Sequence, residues 1–147
     1  MNRPTISNCH MVELPRIPYR AGNITTVSNE QEIPFAIRRI FYIYDIPGGV
    51  DRGAHAHRTC HQFLIAASGS FEIELDDGMA KRTVMLNRPY FGLHVPPGIW
   101  AAEKGFSSGA ICLVLNSHLF DEGDYIRDYA DYLNFVGPSS LDPSVQI

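Results

Sequence analysis

Cysteine is scarce in this chain. Cys9, Cys60 and Cys112 are odd in number and show no CxxC spacing, which argues against a disulfide framework and predicts free thiols in a reducing compartment. A basic excess is also missing. Lys and Arg total 12 against 16 Asp and Glu, a formal charge of −4, so a general nucleic-acid binder is disfavoured. No apolar run approaches the roughly 20 residues that a membrane helix needs. Met1 to Glu13 lacks the charged start and apolar stretch of a secretory signal. Internal repeats and low-complexity linkers are absent. The expectation is a cytoplasmic protein with neither nucleic acid nor membrane as a partner.

What the chain does have is length for one domain. Its 147 residues suffice to bury a core without covalent staples. Short β-rich runs alternate with turn residues. Ile40 to Tyr44 is aromatic and β-branched and is broken by Pro47-Gly48-Gly49. Gln62 to Ala66 is apolar and ends at Ser68-Gly69. Phe71 to Leu75 alternates, and Asp76-Asp77-Gly78 signals a hairpin. Thr83 to Leu86, Tyr90 to Val95 and Ala110 to Leu115 read as further strands. Such spacing predicts an all-β sandwich or barrel. One short helix is expected over Asp124 to Phe135, where Tyr125, Ile126, Tyr129, Tyr132 and Leu133 recur at helical spacing. We expect a single domain over residues 1–136 and a loose tail over 137–147, which carries Pro138 and Pro143.

Arg52-Gly53-Ala54-His55-Ala56-His57 carries the chemistry. Side chains on a strand repeat with period two, so His55 and His57 share a face. Two imidazoles aimed into one cavity make a metal clamp or an acid/base pair; the plain alternative is a pair of core histidines. Burying that much unpaired polarity beside Arg52 is costly, which weighs against the plain alternative. With Gln62 and Gly69 following, the stretch resembles the first motif of the cupin superfamily. Metal-binding cupins usually carry Glu where Gln62 stands. A second motif there supplies a further His after a Pro-x-Gly turn. Here Pro97 and Gly98 are followed by Ile99, Trp100 and Ala101. Two imidazoles and a neutral amide would hold a divalent metal weakly, although His61 or His94 could substitute.

Further segments narrow the resemblance. Ile33 to Tyr42, Arg52 to His57, Asp76-Asp77-Gly78, Trp100, Phe106-Ser107 and Asp121 to Tyr129 occur in the order and spacing of the WxcM-like sugar-nucleotide 3,4-ketoisomerases. That resemblance covers roughly residues 22–133. It implies a cupin-type jelly-roll barrel and a homodimer, with the segment before Ile24 supplying an exchanged strand. It implies a dTDP-linked 4-keto-6-deoxy sugar as the ligand, no metal and no cofactor, and migration of the ketone from C4 to C3 in making deoxysugars for cell-surface polysaccharide.

That reaction suits the residues present. The C4 ketone acidifies the C3 proton, and imidazole can remove it near neutral pH to give an enediolate. His57 is expected as the main base, with His55 assisting. Tyr42 is either a proton donor or an aromatic core residue. Arg52 and Arg39 could steady the enediolate or hold the pyrophosphate, Arg39 having a plain surface role as its alternative. Gln62 would orient a histidine or a sugar hydroxyl, and Arg20 and Trp100 are expected near the sugar. Asp124, Arg127 and Asp128 read as a charged helix end. Two positions depart from the family pattern: Ala21 stands before Gly22 where Arg is usual, and Ala101 follows Trp100 where His or Arg is usual. Arg20 could compensate by a local shift, and His94 could enter the pocket from its strand. These departures motivate a non-catalytic sugar-nucleotide binder as the alternative; a related epimerase, which shares the enolate chemistry, and a metal-dependent cupin dioxygenase are the further alternatives.

Overall fold

Period-two alternation builds most of the frame. In the computed structural model, which describes residues 3–137, twelve strands are β1 His10–Glu13, β2 Arg16–Ile17, β3 Ile24–Thr25, β4 Arg39–Ile43, β5 Arg52–His57, β6 Gln62–Ser68, β7 Phe71–Asp76, β8 Lys81–Leu86, β9 Phe91–Val95, β10 Trp100–Lys104, β11 Ile111–Asn116 and β12 Tyr125–Ile126. The tail beyond Gly137 lies outside the described residues. Two five-stranded antiparallel sheets form, ordered β1-β9-β6-β11-β4 and β12-β5-β10-β7-β8, and β2 with β3 makes a separate hairpin. This is the expected all-β jelly roll with one short helix.

The main core is a cluster built from both sheets. Leu64, Ala66, Leu93, Cys112 and Val114 of the first sheet belong to it with Phe71, Ile73, Leu75 and Leu86 of the second. Burying each large apolar side chain there contributes roughly 1.5–3 kcal/mol. Strand β6 does not alternate, because both of its faces are covered. Phe63 and Ile65 pack beneath Leu14, Ile33 and Phe35 of the N-terminal segment, while Leu64 and Ala66 join the main core. On the second sheet, Ala56 and Ile126 pack with Tyr132, and the Tyr132 hydroxyl donates to the carbonyls of Gly98 and Asp76 at 2.8 and 3.1 Å.

The helix is shorter than its spacing suggests. It covers Tyr129–Val136, and Asp128 caps it by accepting from the Asp131 amide at 3.0 Å. Before it, Glu122–Asp124 forms one 3₁₀ turn, and β12 pairs Tyr125 with His57 and Ile126 with Ala56. The free edge of β5 takes these residues as a strand. That pairing overrides the helical periodicity over residues 124–128, and it carries Asp124 to the histidine pair.

Candidate active site

A bulge shapes the site. Ala101 pairs with His55, but Glu103 pairs with Arg52, so β5 carries one residue more than β10 over the same stretch. Gly53 has φ +73°, and a β-carbon there would coincide with the Glu103 carboxylate. The extra residue reverses the alternation. Arg52, which strict alternation would send away from His55, therefore lines the same cavity. That cavity, about 240 Å³, is walled by β4, β5, β6, β10 and β11, with Tyr125 and Arg127 at one side.

His57 lies beside His55, ring centroids 4.9 Å apart and edge-on, and Tyr125 packs against both rings. Its Nδ1 faces Asp124 Oδ2 at 2.9 Å. The carboxylate of Asp124 also accepts from the Thr59 amide and hydroxyl, both at 2.7 Å, and from the Cys60 amide at 3.3 Å. Burial pushes the Asp124 carboxyl up, but the Thr59 and His57 hydrogen bonds outweigh it and hold the group below its usual range. An ionised acceptor fixes the proton of His57 on Nδ1 and leaves Nε2 with a lone pair. Nε2 is buried and has no hydrogen-bond partner among the described residues, the kind of orphan that native structures keep for a reason. Burial lowers His57 in spite of Asp124, and it takes His55 down to about 4, with the neighbouring His57 adding to the effect. Both rings are thus neutral near pH 7.

The remaining expected residues divide. Arg39, Arg52, His55 and Gln62 line the cavity. Gln62 Nε2 donates to Asn116 Oδ1 at 2.9 Å, and the Arg39 guanidinium stacks over Phe41 and Phe120. Tyr42 does not join them. It sits between the inward Phe41 and Ile43 on a strand, so its ring points outward, is 60 % exposed and touches Tyr44. Trp100 packs its ring on Tyr129 and Tyr132 rather than lining the cavity. Arg20 is exposed in the turn between β2 and β3, away from the cavity lining. His61 and His94 stack on each other, Nδ1 to Nε2 at 3.0 Å, beside Phe35, and neither lines the cavity.

The donor set fits a cupin metal poorly. The Gln62 amide is engaged with Asn116, Ala101 offers no ligand, and Nδ1 of His57 faces a carboxylate. His57, Cys60 and Asp124 do place ligand atoms within 4.8 Å of one another. The Asp124 oxygens there already accept from amide, hydroxyl and imidazole groups, all of which a cation would have to displace.

Comparison with known proteins places the chain in a family. Residues 7–137 match the family model described as FdtA, WxcM-like, C-terminal. The chain belongs to the WxcM-like FdtA family. A curated relative, TDP-4-oxo-6-deoxy-alpha-D-glucose-3,4-oxoisomerase of Aneurinibacillus thermoaerophilus, is 34 % identical over 90 % of this chain and 95 % of its own. Among solved structures, WlaRB, a TDP-quinovose 3,4-ketoisomerase from Campylobacter jejuni, is 41 % identical with a TM-score of 0.84, covering 88 % of this chain and 99 % of its own. A histidine-to-asparagine variant of the 3,4-ketoisomerase QdtA from Thermoanaerobacterium thermosaccharolyticum, in complex with TDP-4-keto-6-deoxyglucose, is 32 % identical with a TM-score of 0.89, covering 94 % and 100 %.

Sequence reasoning missed several residues of this FdtA-family cavity. Asp124 was hidden by the helical spacing that follows it. Glu103 and Tyr125 line the cavity, as do Phe41 and Ile43. Strict alternation along Trp100–Lys104 puts residues 101 and 103 on one face, and that was the available signal for Glu103.

Proposed function

We propose that this protein is a TDP-sugar 3,4-ketoisomerase that moves the ketone of a TDP-linked 4-keto-6-deoxyhexose from C4 to C3. The observation that carries the reading is His55 at the wall of the cavity with His57 packed edge-on against it, the His57 Nδ1 held by Asp124 and its buried Nε2 left without a partner among the described residues. The relatives named above support the substrate class. In this reading His57 is the base at C3, kept in the reactive tautomer by Asp124, and His55 passes the proton or holds the sugar. Arg52, beside His55, steadies charge on the sugar oxygens, while Arg39 at the rim meets the diphosphate. The chemistry is proton transfer alone and calls for no metal or redox cofactor. The buried free thiols Cys9, Cys60 and Cys112 suit a reducing cytoplasm.

The test follows ketone migration in TDP-4-keto-6-deoxyglucose by NMR in D₂O, for the wild type and for His57→Asn. The wild type should form the 3-keto sugar with solvent deuterium at C4. The variant should lose at least about a hundredfold in rate while still binding TDP. A wild type that binds the sugar nucleotide and neither exchanges deuterium nor isomerises would instead be a binding protein.

A further inference from the structure

A ketone cannot migrate by carbon chemistry alone. One proton must pass from C3 to C4, and another must pass from the C3 oxygen to the C4 oxygen. The first is histidine work. For the second the cavity needs a group that donates and accepts, and β4 does not provide it. Its inward residues next to Arg39 are Phe41 and Ile43, and the phenol of Tyr42 faces outward. Ala101, opposite His55, has no polar group either.

Two residues on from Ala101, on the same face, Glu103 does. Its side chain lines the cavity together with His55, Arg52 and Gln62. It is 7 % exposed and lies against the glycine of the β5 bulge, the one position in that stretch without a β-carbon to exclude it. Arg52 is its partner in the ladder but forms no ion pair with it. A buried carboxyl with neither an ion pair nor a side-chain donor among the described residues is expensive in a core and is kept where it has chemistry to do.

Resting on the ketoisomerase reading, we propose that Glu103 is a catalytic acid–base residue that carries the proton between the two sugar oxygens while histidine carries the carbon-bound one. The steps balance. His57 takes the C3 proton and the C3–H pair becomes the C3–C4 double bond, leaving an enolate at O4; Glu103 then gives its proton to O4, making the enediol. The Glu103 carboxylate then takes the O3 proton as C3=O forms, and the double-bond pair takes at C4 a proton from His57 that has exchanged with solvent. Both residues end as they began, so no co-reactant is needed. A carboxyl suits the task because its two oxygens can donate and accept side by side.

The electrostatics agree. Burial lifts Glu103 to about 7, against smaller lowerings by its own backbone amide and by Arg52, so its protonated form is available at neutral pH. The groups facing it are Arg52 and His55 from β5, Arg39 from β4 and Cys112 from β11, with Arg127 at the rim.

Glu103→Gln tests this. The amide keeps the shape but cannot pass a proton. With TDP-4-keto-6-deoxyglucose in D₂O, the variant should bind TDP as the wild type does and lose about a hundredfold or more in ketone migration. It should still exchange the C3 proton of the 4-keto sugar with solvent, because the histidine base is intact. In the wild type kcat/KM should fall as pH rises through about 7, and that limb should be missing from the residual activity of the variant. A variant that isomerises within a few-fold of the wild type overturns the proposal and moves the donor elsewhere, Tyr125 being next. Loss of TDP binding or of C3 exchange along with isomerisation overturns it in favour of a structural role. A wild type that does not isomerise overturns the ketoisomerase reading itself, and the assignment of Glu103 with it.

Discussion

At the scale of single residues, the site turns on how two acids are treated. Asp124 is given four donors and stays ionised, whereas Glu103 is given none from a side chain and is pushed toward its neutral form. Carboxyls driven apart in this way commonly mark separate roles in one mechanism. The second treatment costs stability. A folded-state value raised from 4.5 to about 7 means that the unfolded chain ionises first, so stability is full below pH 4.5, falls as pH rises toward 7 and stays lower above it. By linkage the loss is about 3 kcal/mol, far more than a neutral side chain in the same place would cost. Asp124 works through His57. Asp124→Asn presents an amide donor to Nδ1, moves the proton of His57 to Nε2 and removes the lone pair that takes the C3 proton. Turnover should fall about a hundredfold or more with TDP binding retained, a difference visible in kcat against KM. Burial depresses both histidines, so they stay neutral to a pH below the ordinary histidine value of about 6.5. In the wild type the acid limb of kcat/KM should accordingly lie below that ordinary value. Asp124→Asn activity close to that of the wild type would leave Asp124 with only a structural place.

At the scale of elements, strand β5 and its bulge decide which side chains meet. The single extra residue at Gly53 puts Arg52 into the cavity of His55, and the missing β-carbon there leaves room for the Glu103 carboxylate. Gly53→Ala would place a methyl where the Glu103 carboxylate lies and would demand φ +73° of a residue that resists it. The expected outcome is a loss of about 1–3 kcal/mol, read as a Tm lower by several degrees, and a fall of at least about tenfold in ketone migration. Unchanged Tm and activity would mean that the bulge does not organise the site. This element also marks how far the residues alone could be read. The same-face placement of His55 and His57 follows from strand period, and most strands were visible as alternating runs between turn signals. A bulge reverses that alternation without a signature of its own beyond one glycine, so the inward turn of Arg52 could be guessed only from adjacency. Tyr42 failed for a related reason. An aromatic run on a strand does not say which parity faces inward, and here Phe41 and Ile43 do. Strand β12 was hidden because Tyr125, Ile126, Tyr129 and Tyr132 fit a helix as well as a strand followed by a helix. The free edge of β5, a tertiary fact, decided between them.

At the scale of the whole molecule, the described residues leave apolar surface uncovered. Among them strand β4 is one edge of its sheet, and its outer face shows Ile40 and Tyr42, 57 % and 60 % exposed, with Tyr44 just beyond at 59 %. Ile17, Tyr19 and Ile24 are similarly bare on and beside the hairpin of β2 and β3. Open edges and clustered aromatics of this kind are covered in most soluble proteins, and symmetric pairing is the commonest cover. The prediction is a homodimer in which Tyr42 belongs to the contact rather than to the chemistry. Light scattering on the purified protein should return twice the chain mass. Tyr42→Lys, which sets a charge into the patch, should move the population toward monomer, with a dissociation constant raised at least about tenfold. Tyr42→Phe separates contact from catalysis, because it removes only the hydroxyl. With that hydroxyl outside the cavity, ketone migration should stay within about twofold of the wild type. A monomeric wild type would refute the pairing. Loss of activity in a dimeric Tyr42→Phe would return the phenol to the reaction.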